Sequence, residues 1–285
     1  MQPPPNPTSL KVLPEEPMRG RPQRLAGEFI GTFGVVLFTV SAICADQFLR
    51  NQNQPALGPL GIALAYGLVY GALVTAVGYS CGRGCGHLNP AVTLGFWGAR
   101  KLGTFDALSF CAAQLAGAAA AAYSLRAVLP EEVWRATELG TPMLANGITR
   151  TPGMLIEGFP TFFLVFAVFS TSLDGLDPSG HQRGTTRWLT GLVGGLIVAT
   201  GALFTLPFTG GSMNPARAFG PALAVHYWTN HGVYWIGPLS GGVVAAWIYD
   251  SVFVRWHAHT ESGDRPADRA GDRAGEGSSA RARTD

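Results

Sequence analysis

Charge is scarce in this chain. Asp, Glu, Lys and Arg make up 13% of its 285 residues, about half the share of an ordinary soluble domain. The formal balance is only +2, too small for a protein that holds nucleic acid by its phosphates. Cysteine is equally sparse: Cys44, Cys81, Cys85 and Cys111 are too few and too scattered for a disulfide scaffold. A glycine-rich nucleotide loop, a Ser/His/Asp arrangement arguable from spacing and a clear metal-ligand cluster are all missing. These absences point away from an enzyme, and no cofactor or metal is expected. Residues 1–23 hold no apolar core segment, so no cleavable signal peptide is expected either.

What the chain has instead is apolar length. Hydrophobic residues reach 47%, and glycine, at 38 residues, is abundant, as in helices that pack closely in lipid. Crossing a bilayer takes about 20 mostly apolar residues. Six segments qualify, at residues 25–45, 57–79, 105–129, 153–173, 188–206 and 233–254. A soluble protein with buried core helices is the less economical reading of so many long runs. The proline-rich stretch 1–23 and the polar stretch 257–285 read as disordered tails. The second repeats Asp264-Arg265, Asp268-Arg269 and Asp272-Arg273 among Gly, Pro and Ser, a solubilising pattern rather than a helix.

Two further apolar runs, residues 90–97 and 215–225, are too short to span. Each opens on the same motif: Gly86-His87-Leu88-Asn89-Pro90-Ala91-Val92 and Gly211-Ser212-Met213-Asn214-Pro215-Ala216-Arg217. Asn is a favoured N-cap, and Pro is at home in the first helical position, where its missing N–H has no partner to lose. Both runs therefore read as half-helices entering the membrane, with a side-chain amide at the mouth. Such segments occur only where irregular backbone is buried in protein or lines a cavity.

The chain also repeats. Gly27-Glu28-Phe29-Ile30-Gly31-Thr32-Phe33 is echoed by Ile156-Glu157-Gly158-Phe159-Pro160-Thr161-Phe162. The two Glu lie 129 residues apart and the two Asn 125. Each half, about 24–129 and 153–256, then carries three spans and one half-helix. An odd number of spans per half makes the repeat inverted, with its site near the midplane. Arg19, Arg21, Arg24, Arg83, Arg100, Lys101, Arg183, Arg187 and Arg255 collect on one side, against Arg50, Arg126, Arg135 and Arg150 on the other. By the positive-inside rule the first side, with both termini, is cytoplasmic, and the loop 130–152 is external.

With half-helices entering from opposite faces, Asn89 and Asn214 are expected to present amide donors to one lumen. Each helix start carries about half a positive charge. Together they oppose a cation about 8 Å away by roughly 2 kcal/mol at an effective dielectric near 20, a factor of about thirty. Loss of hydration in a narrow pore must supply the rest of the barrier. Arg217, on the first turn of the second half-helix, is a charge at membrane depth that must face a polar lumen or pair with a loop carboxylate.

With its paired Asn-Pro-Ala motifs between apolar spans, the chain resembles the aquaporin (major intrinsic protein) family from about residue 24 to 256. The resemblance implies an all-α membrane protein of six transmembrane helices and two re-entrant half-helices. It implies a passive channel for water that excludes ions and protons, and a homotetramer with one pore per protomer, set in membrane lipid. The expected location is the plasma membrane. Asn89, Pro90, Ala91, Asn214, Pro215 and Ala216 match the pore motifs, and Tyr66, Ala202, Gly211 and Arg217 match the selectivity filter by spacing. Ala202 stands where strict water channels often carry histidine, and with Gly211 it implies a wider filter. Ala218, Ala222 and the Tyr234-Trp235 pair resemble water-type members. Water is the expected main permeant; the alternative is a broader facilitator of ammonia, urea, hydrogen peroxide or glycerol.

Glu28 and Glu157 sit within spans, as a proton relay would require, but the resemblance implies that they brace the re-entrant loops. His87, Asn146 and His226 read as packed or hydrogen-bonded residues, and Cys44 and Cys111 as packing residues. The segment Cys81-Gly82-Arg83-Gly84-Cys85 makes the stretch from Tyr66 to Asn89 about three residues longer than the family spacing. It reads as a flexible glycine-rich insertion, with a metal site or a redox gate as alternatives. A carrier would need ionisable residues at the midplane, and an adhesion protein would not need lumen donors; both rank below the channel.

Overall fold

The computed structural model describes residues 20–82, 84–173 and 185–254. The tails beyond them, Arg83 and Arg183 lie outside the described residues. Among the described residues nine α-helices follow in order: α1 Arg21–Asn51, α2 Gly58–Cys81, α3 Pro90–Gly98, α4 Thr104–Val128, α5 Glu131–Ala136, α6 Arg150–Leu173, α7 Thr185–Thr209, α8 Pro215–Val225 and α9 Val233–Tyr249. A π-helical turn, Asp250–Val254, continues α9. Among the described residues six helices are long and apolar enough to cross a membrane, and this chain is an integral, multi-pass membrane protein. Its outward faces carry large apolar side chains, among them Leu68, Leu108, Val128 and Trp247, which water would not tolerate in such number and lipid does.

Helix pairing follows the repeat. In the first half α1 packs on α2 and α4; in the second, α6 packs on α7 and α9. The half-helices cross over: α3 lies against α9, and α8 against α4. Each half-helix therefore rests on the third span of the other half, and α2 against α7 closes the centre. Three pairs of glycines four residues apart face neighbours within the chain. Gly67 and Gly71 face α7, Gly237 and Gly241 face α6, and Gly27 and Gly31 face α2 and the first re-entrant loop.

The α2–α7 contact is tight enough that a methyl group does not fit. A Cβ at Gly195 would stand 2.6 Å from the Gly67 carbonyl oxygen and 3.1 Å from the Gly71 Cα. Both are backbone atoms, so relief requires the helices to part. Gly195→Ala is expected to destabilise the fold by about 1–3 kcal/mol, read as a lower unfolding temperature in detergent. Wild-type stability would show that the crossing is looser than this geometry.

Three features depart from the sequence expectation. First, α1 runs beyond 25–45 at both ends. Its last turns are polar yet held by side-chain pairs, Arg50 to Asp46 at 2.8 Å and Gln47 to Asn51 at 2.8 Å. Second, the loop 130–152 contains α5 and a 3₁₀ turn, Glu138–Gly140. Glu131 and Glu132 at the start of α5 favour its positive helix end, and Val133 and Trp134 bury against α1 and α4. Third, Cys81 and Cys85 are joined by a disulfide, with Cα atoms 6.3 Å apart. The scatter of the four cysteines along the chain concealed this local bond.

At one end of the bundle Asp106, at the start of α4, binds Arg21 at 3.0 Å and Arg24 at 3.3 Å. Asp250, after α9, binds Lys101 at 2.9 Å. Arg21, Arg24 and Lys101, three of the basic residues counted on one side by sequence, are each held by a carboxylate.

Candidate functional site

Each half-helix starts where its Asn caps it. Asn89 has extended backbone (φ −159°, ψ 121°), and its Oδ1 accepts from the Ala91 N–H at 2.8 Å. Asn214 is extended too (φ −149°, ψ 110°), and its Oδ1 accepts from the N–H groups of Ala216 at 3.0 Å and Arg217 at 3.4 Å. The other end of each side chain reaches across the repeat. Nδ2 of Asn89 donates to the Met213 carbonyl at 2.9 Å, and Nδ2 of Asn214 donates to the Leu88 carbonyl at 2.8 Å. An amide nitrogen has two N–H donors, so each Asn keeps one beyond this brace. Leu88 and Met213 both sit at φ 52°, a left-handed conformation that branched or long side chains adopt only under constraint. Sequence reading found the two Asn but not these carbonyls. The only cue is position, since each residue directly precedes its Asn.

Two buried carboxylates hold the loops. Oε1 of Glu28 accepts from the Gly86 and His87 N–H groups at 2.6 and 2.8 Å. Its Oε2 accepts from the Leu88 N–H at 2.8 Å and from Gln114 Nε2 at 2.7 Å. In the second half Glu157 accepts from Thr209 Oγ1 at 2.6 Å, the Met213 N–H at 2.6 Å and the Ser212 N–H at 3.1 Å. Both Glu side chains are wholly buried, where only a full set of donors makes a carboxylate tolerable. His87 is buried, with Nδ1 3.1 Å from Thr93 Oγ1 and its ring stacked 4.7 Å from that of Phe96. Gln114 and Thr93, also within reach of each other at 2.9 Å, are network members that no motif marks.

Arg217 is 1% exposed, and among the described residues no carboxylate pairs with it. Its Nη2 donates to the Tyr66 hydroxyl at 2.5 Å, while Nε and Nη1 find no protein acceptor. The guanidinium lies 5.4 Å from the centre of the Tyr66 ring. Tyr66 and Arg217 share with Asn89 and Asn214 the wall of one cavity of about 20 Å³, otherwise faced in part by Val35, Leu164 and Val198. That is room for a water-sized molecule. Tyr70, missed by sequence reading, lines it as well. Ala202 and Gly211 do not: Ala202 is buried in the core cluster with Val198 and Met213, and Gly211 lies in the second loop at φ 66°. Among the described residues no group of three or more His, Cys, Asp or Glu is placed to hold a metal, so the Cys81, Cys85 and His87 alternative has no geometric support.

The arrangement can strip, orient and pass a small hydrogen-bonding molecule. Donors converge on the cavity from two helix starts and one guanidinium, while its remaining wall is largely apolar. Positive potential at helix starts and at Arg217 opposes cations.

Comparisons agree with this geometry. The family model described as major intrinsic protein matches residues 20–249. Aquaporin TIP4-1 of Zea mays is 38% identical over 247 residues, 86% of this chain and 91% of that protein. Aquaporin-4 of Homo sapiens is 38% identical over 192 residues, 67% of this chain and 56% of its own. Among solved structures, the aquaglyceroporin from Plasmodium falciparum superposes with a TM-score of 0.67 at 19% identity, covering 82% of this chain and 97% of its own, a likeness of fold. With paired capping asparagines, an inverted repeat of six spans and a family match along most of its length, the chain belongs to the major intrinsic protein family.

Proposed function

We propose that this protein is a passive transmembrane channel for water that excludes ions and protons, and not an enzyme. The observation that carries the reading is the shared cavity. Asn89, Asn214, Tyr66 and Arg217 bound one water-sized space, and Nε and Nη1 of Arg217 keep donors that no protein group accepts. A neutral molecule that accepts hydrogen bonds exchanges its hydration for these donors. A cation meets like charge and finds no compensating carboxylate. Relatives named aquaporins support it.

Within that reading, residues 24–256 form the channel unit, with tails at 1–23 and 257–285. The Asn-Pro-Ala motifs form the waist, and Tyr66, Ala202, Gly211 and Arg217 form the filter. Glu28, Glu157 and His87 support the loops. The assembly is a homotetramer in the lipid of the plasma membrane, with both termini cytoplasmic; the excess of Arg and Lys on one side supports the orientation. The small residues Ala202 and Gly211 favour a second permeant class, small neutral solutes such as ammonia, urea or hydrogen peroxide.

Stopped-flow light scattering on proteoliposomes tests both readings. Water flow well above that of empty liposomes, with little glycerol flow, is expected. Ala202→His is expected to cut any urea or ammonia flow by about tenfold or more, since one imidazole fills the space and about 1.4 kcal/mol of added barrier suffices. Glycerol flow rivalling that of water would make this a general solute facilitator. Unchanged urea and ammonia flow in Ala202→His would remove residue 202 from the filter.

A further inference from the structure

The two re-entrant loops differ in length. From the last residue of α2, Cys81, to Asn89 is eight residues; from the last residue of α7, Thr209, to Asn214 is five. The surplus of three falls inside the ring that the Cys81–Cys85 disulfide closes. That ring touches the machinery holding Asn89 on both flanks. Cys81 packs on Gly27, where an added Cβ would meet its Cβ at 3.0 Å and its Sγ at 3.1 Å, and Gly27 precedes Glu28. Cys85 precedes Gly86, whose N–H is the first donor to Glu28, at 2.6 Å. Within the stretch from Cys81 to Cys85, the Gly84 carbonyl accepts from Arg24 Nη2 at 2.9 Å. Cys81 is buried at 2% exposure, whereas Cys85 is only half-buried. Cys85 is the more exposed residue of the pair, and Cys81 is held beside it as a resolving partner.

The geometry points to a reversible thiol–disulfide site at Cys81 and Cys85, oxidised by hydroperoxides and reduced by dithiols, that sets how firmly the Asn89 loop is held. In the oxidation the Cys85 thiolate attacks one peroxide oxygen, the O–O bond breaks, and a sulfenic acid forms as hydroxide leaves. The Cys81 thiolate then attacks that sulfur, the S–S bond forms, and a second hydroxide leaves. With the two thiol protons this gives two waters from one hydrogen peroxide, and each sulfur loses one electron. A dithiol reverses the change through a mixed disulfide and leaves as its own cyclic disulfide. With the bond closed, the surplus residues are tethered and Asn89 meets the Met213 carbonyl. With it open, the seven residues between α2 and Asn89, 82–88, lose that cross-link and the loop gains conformations.

The site builds on the water-channel reading only for its flow readout, so the test has two arms on the full-length protein in proteoliposomes. In the first, peptide mass mapping after alkylation follows positions 81 and 85 apart from Cys44 and Cys111. Dithiothreitol is expected to expose two alkylatable thiols, and hydrogen peroxide to remove both. In the second, water flow is expected to fall about twofold or more in dithiothreitol, as when half the molecules leave the competent conformation, and to recover with peroxide. Cys85→Ser is expected to hold the reduced-state flow in either condition. Thiols that stay alkylatable after peroxide would overturn the redox couple. A confirmed mass change with unchanged flow would overturn its link to the Asn89 loop. A mass change with no water flow in either state would support the couple and sink the channel reading instead.

Discussion

Glu28→Gln is expected to lower the unfolding temperature by about 6–12 °C and to remove most of the water flow. Glu28 accepts four hydrogen bonds, three from consecutive backbone N–H groups and one from Gln114. A glutamine supplies one carbonyl oxygen and turns an NH₂ toward donors. At least one backbone N–H or the Gln114 amide then loses its acceptor in a site with no water access, and the remaining bonds lose their charge assistance. Each orphaned buried donor costs about 1–3 kcal/mol, and bonds to a charged acceptor are worth about 1.5–3. A total near 3 kcal/mol corresponds to that shift in a chain of this size. Flow fails by the same route, because Gly86, His87 and Leu88 lead directly into Asn89, and the Leu88 carbonyl is the acceptor for Asn214. The substitution is isosteric, so loss of volume cannot account for the result. Thermal unfolding in detergent and stopped-flow light scattering decide it; wild-type values in both would mean that the loop is held by something other than this carboxylate.

Arg217→Val should leave water flow within a few-fold of wild type and raise proton or alkali-cation leakage by about 10²–10³. A guanidinium about 4 Å from a passing cation opposes it by about 4 kcal/mol at an effective dielectric near 20, or about a thousandfold. The two helix starts, farther off, supply about thirtyfold. Arg217 is therefore the larger electrostatic element. No carboxylate among the described residues neutralises it, and the Tyr66 hydroxyl that receives its Nη2 is uncharged. A pH-sensitive dye inside proteoliposomes measures the leak against water flow from the same preparation. Leakage at the wild-type level would assign exclusion to dehydration in the apolar part of the pore, with Arg217 serving orientation alone.

Much of the fold could be read from local rules. Spans announce themselves by hydropathy over about 20 residues, and α8 begins and ends where its capping Asn and its length indicate. The echo of Glu28 by Glu157 and of Asn89 by Asn214 contains the inverted repeat before any coordinate is known. Arg217 was legible for a similar reason: a charge at membrane depth needs a polar neighbour wherever the fold puts it. Where local rules thinned out, so did the reading. The polar turns at the end of α1 lie beyond the hydropathy signal, and α5 depends on burial of Val133 and Trp134 by helices distant in sequence.

Contacts between residues far apart in the chain belong to the folded bundle alone. Tyr66 and Arg217 are 151 positions apart, Asn89 and Met213 are 124 apart, and Glu28 and Gln114 are 86 apart. No periodicity or motif pairs them; they meet because α1 packs on α4, α2 crosses α7 and each half-helix lies on the other half's third span. The amino-acid order settles which segments are apolar, which residues cap and which charges must be sheltered, since these depend on near neighbours and on solvent. Which donor meets which acceptor across the pore depends on how the helices pack, because hydrogen bonds are short-ranged and only tertiary packing brings distant groups within 3 Å.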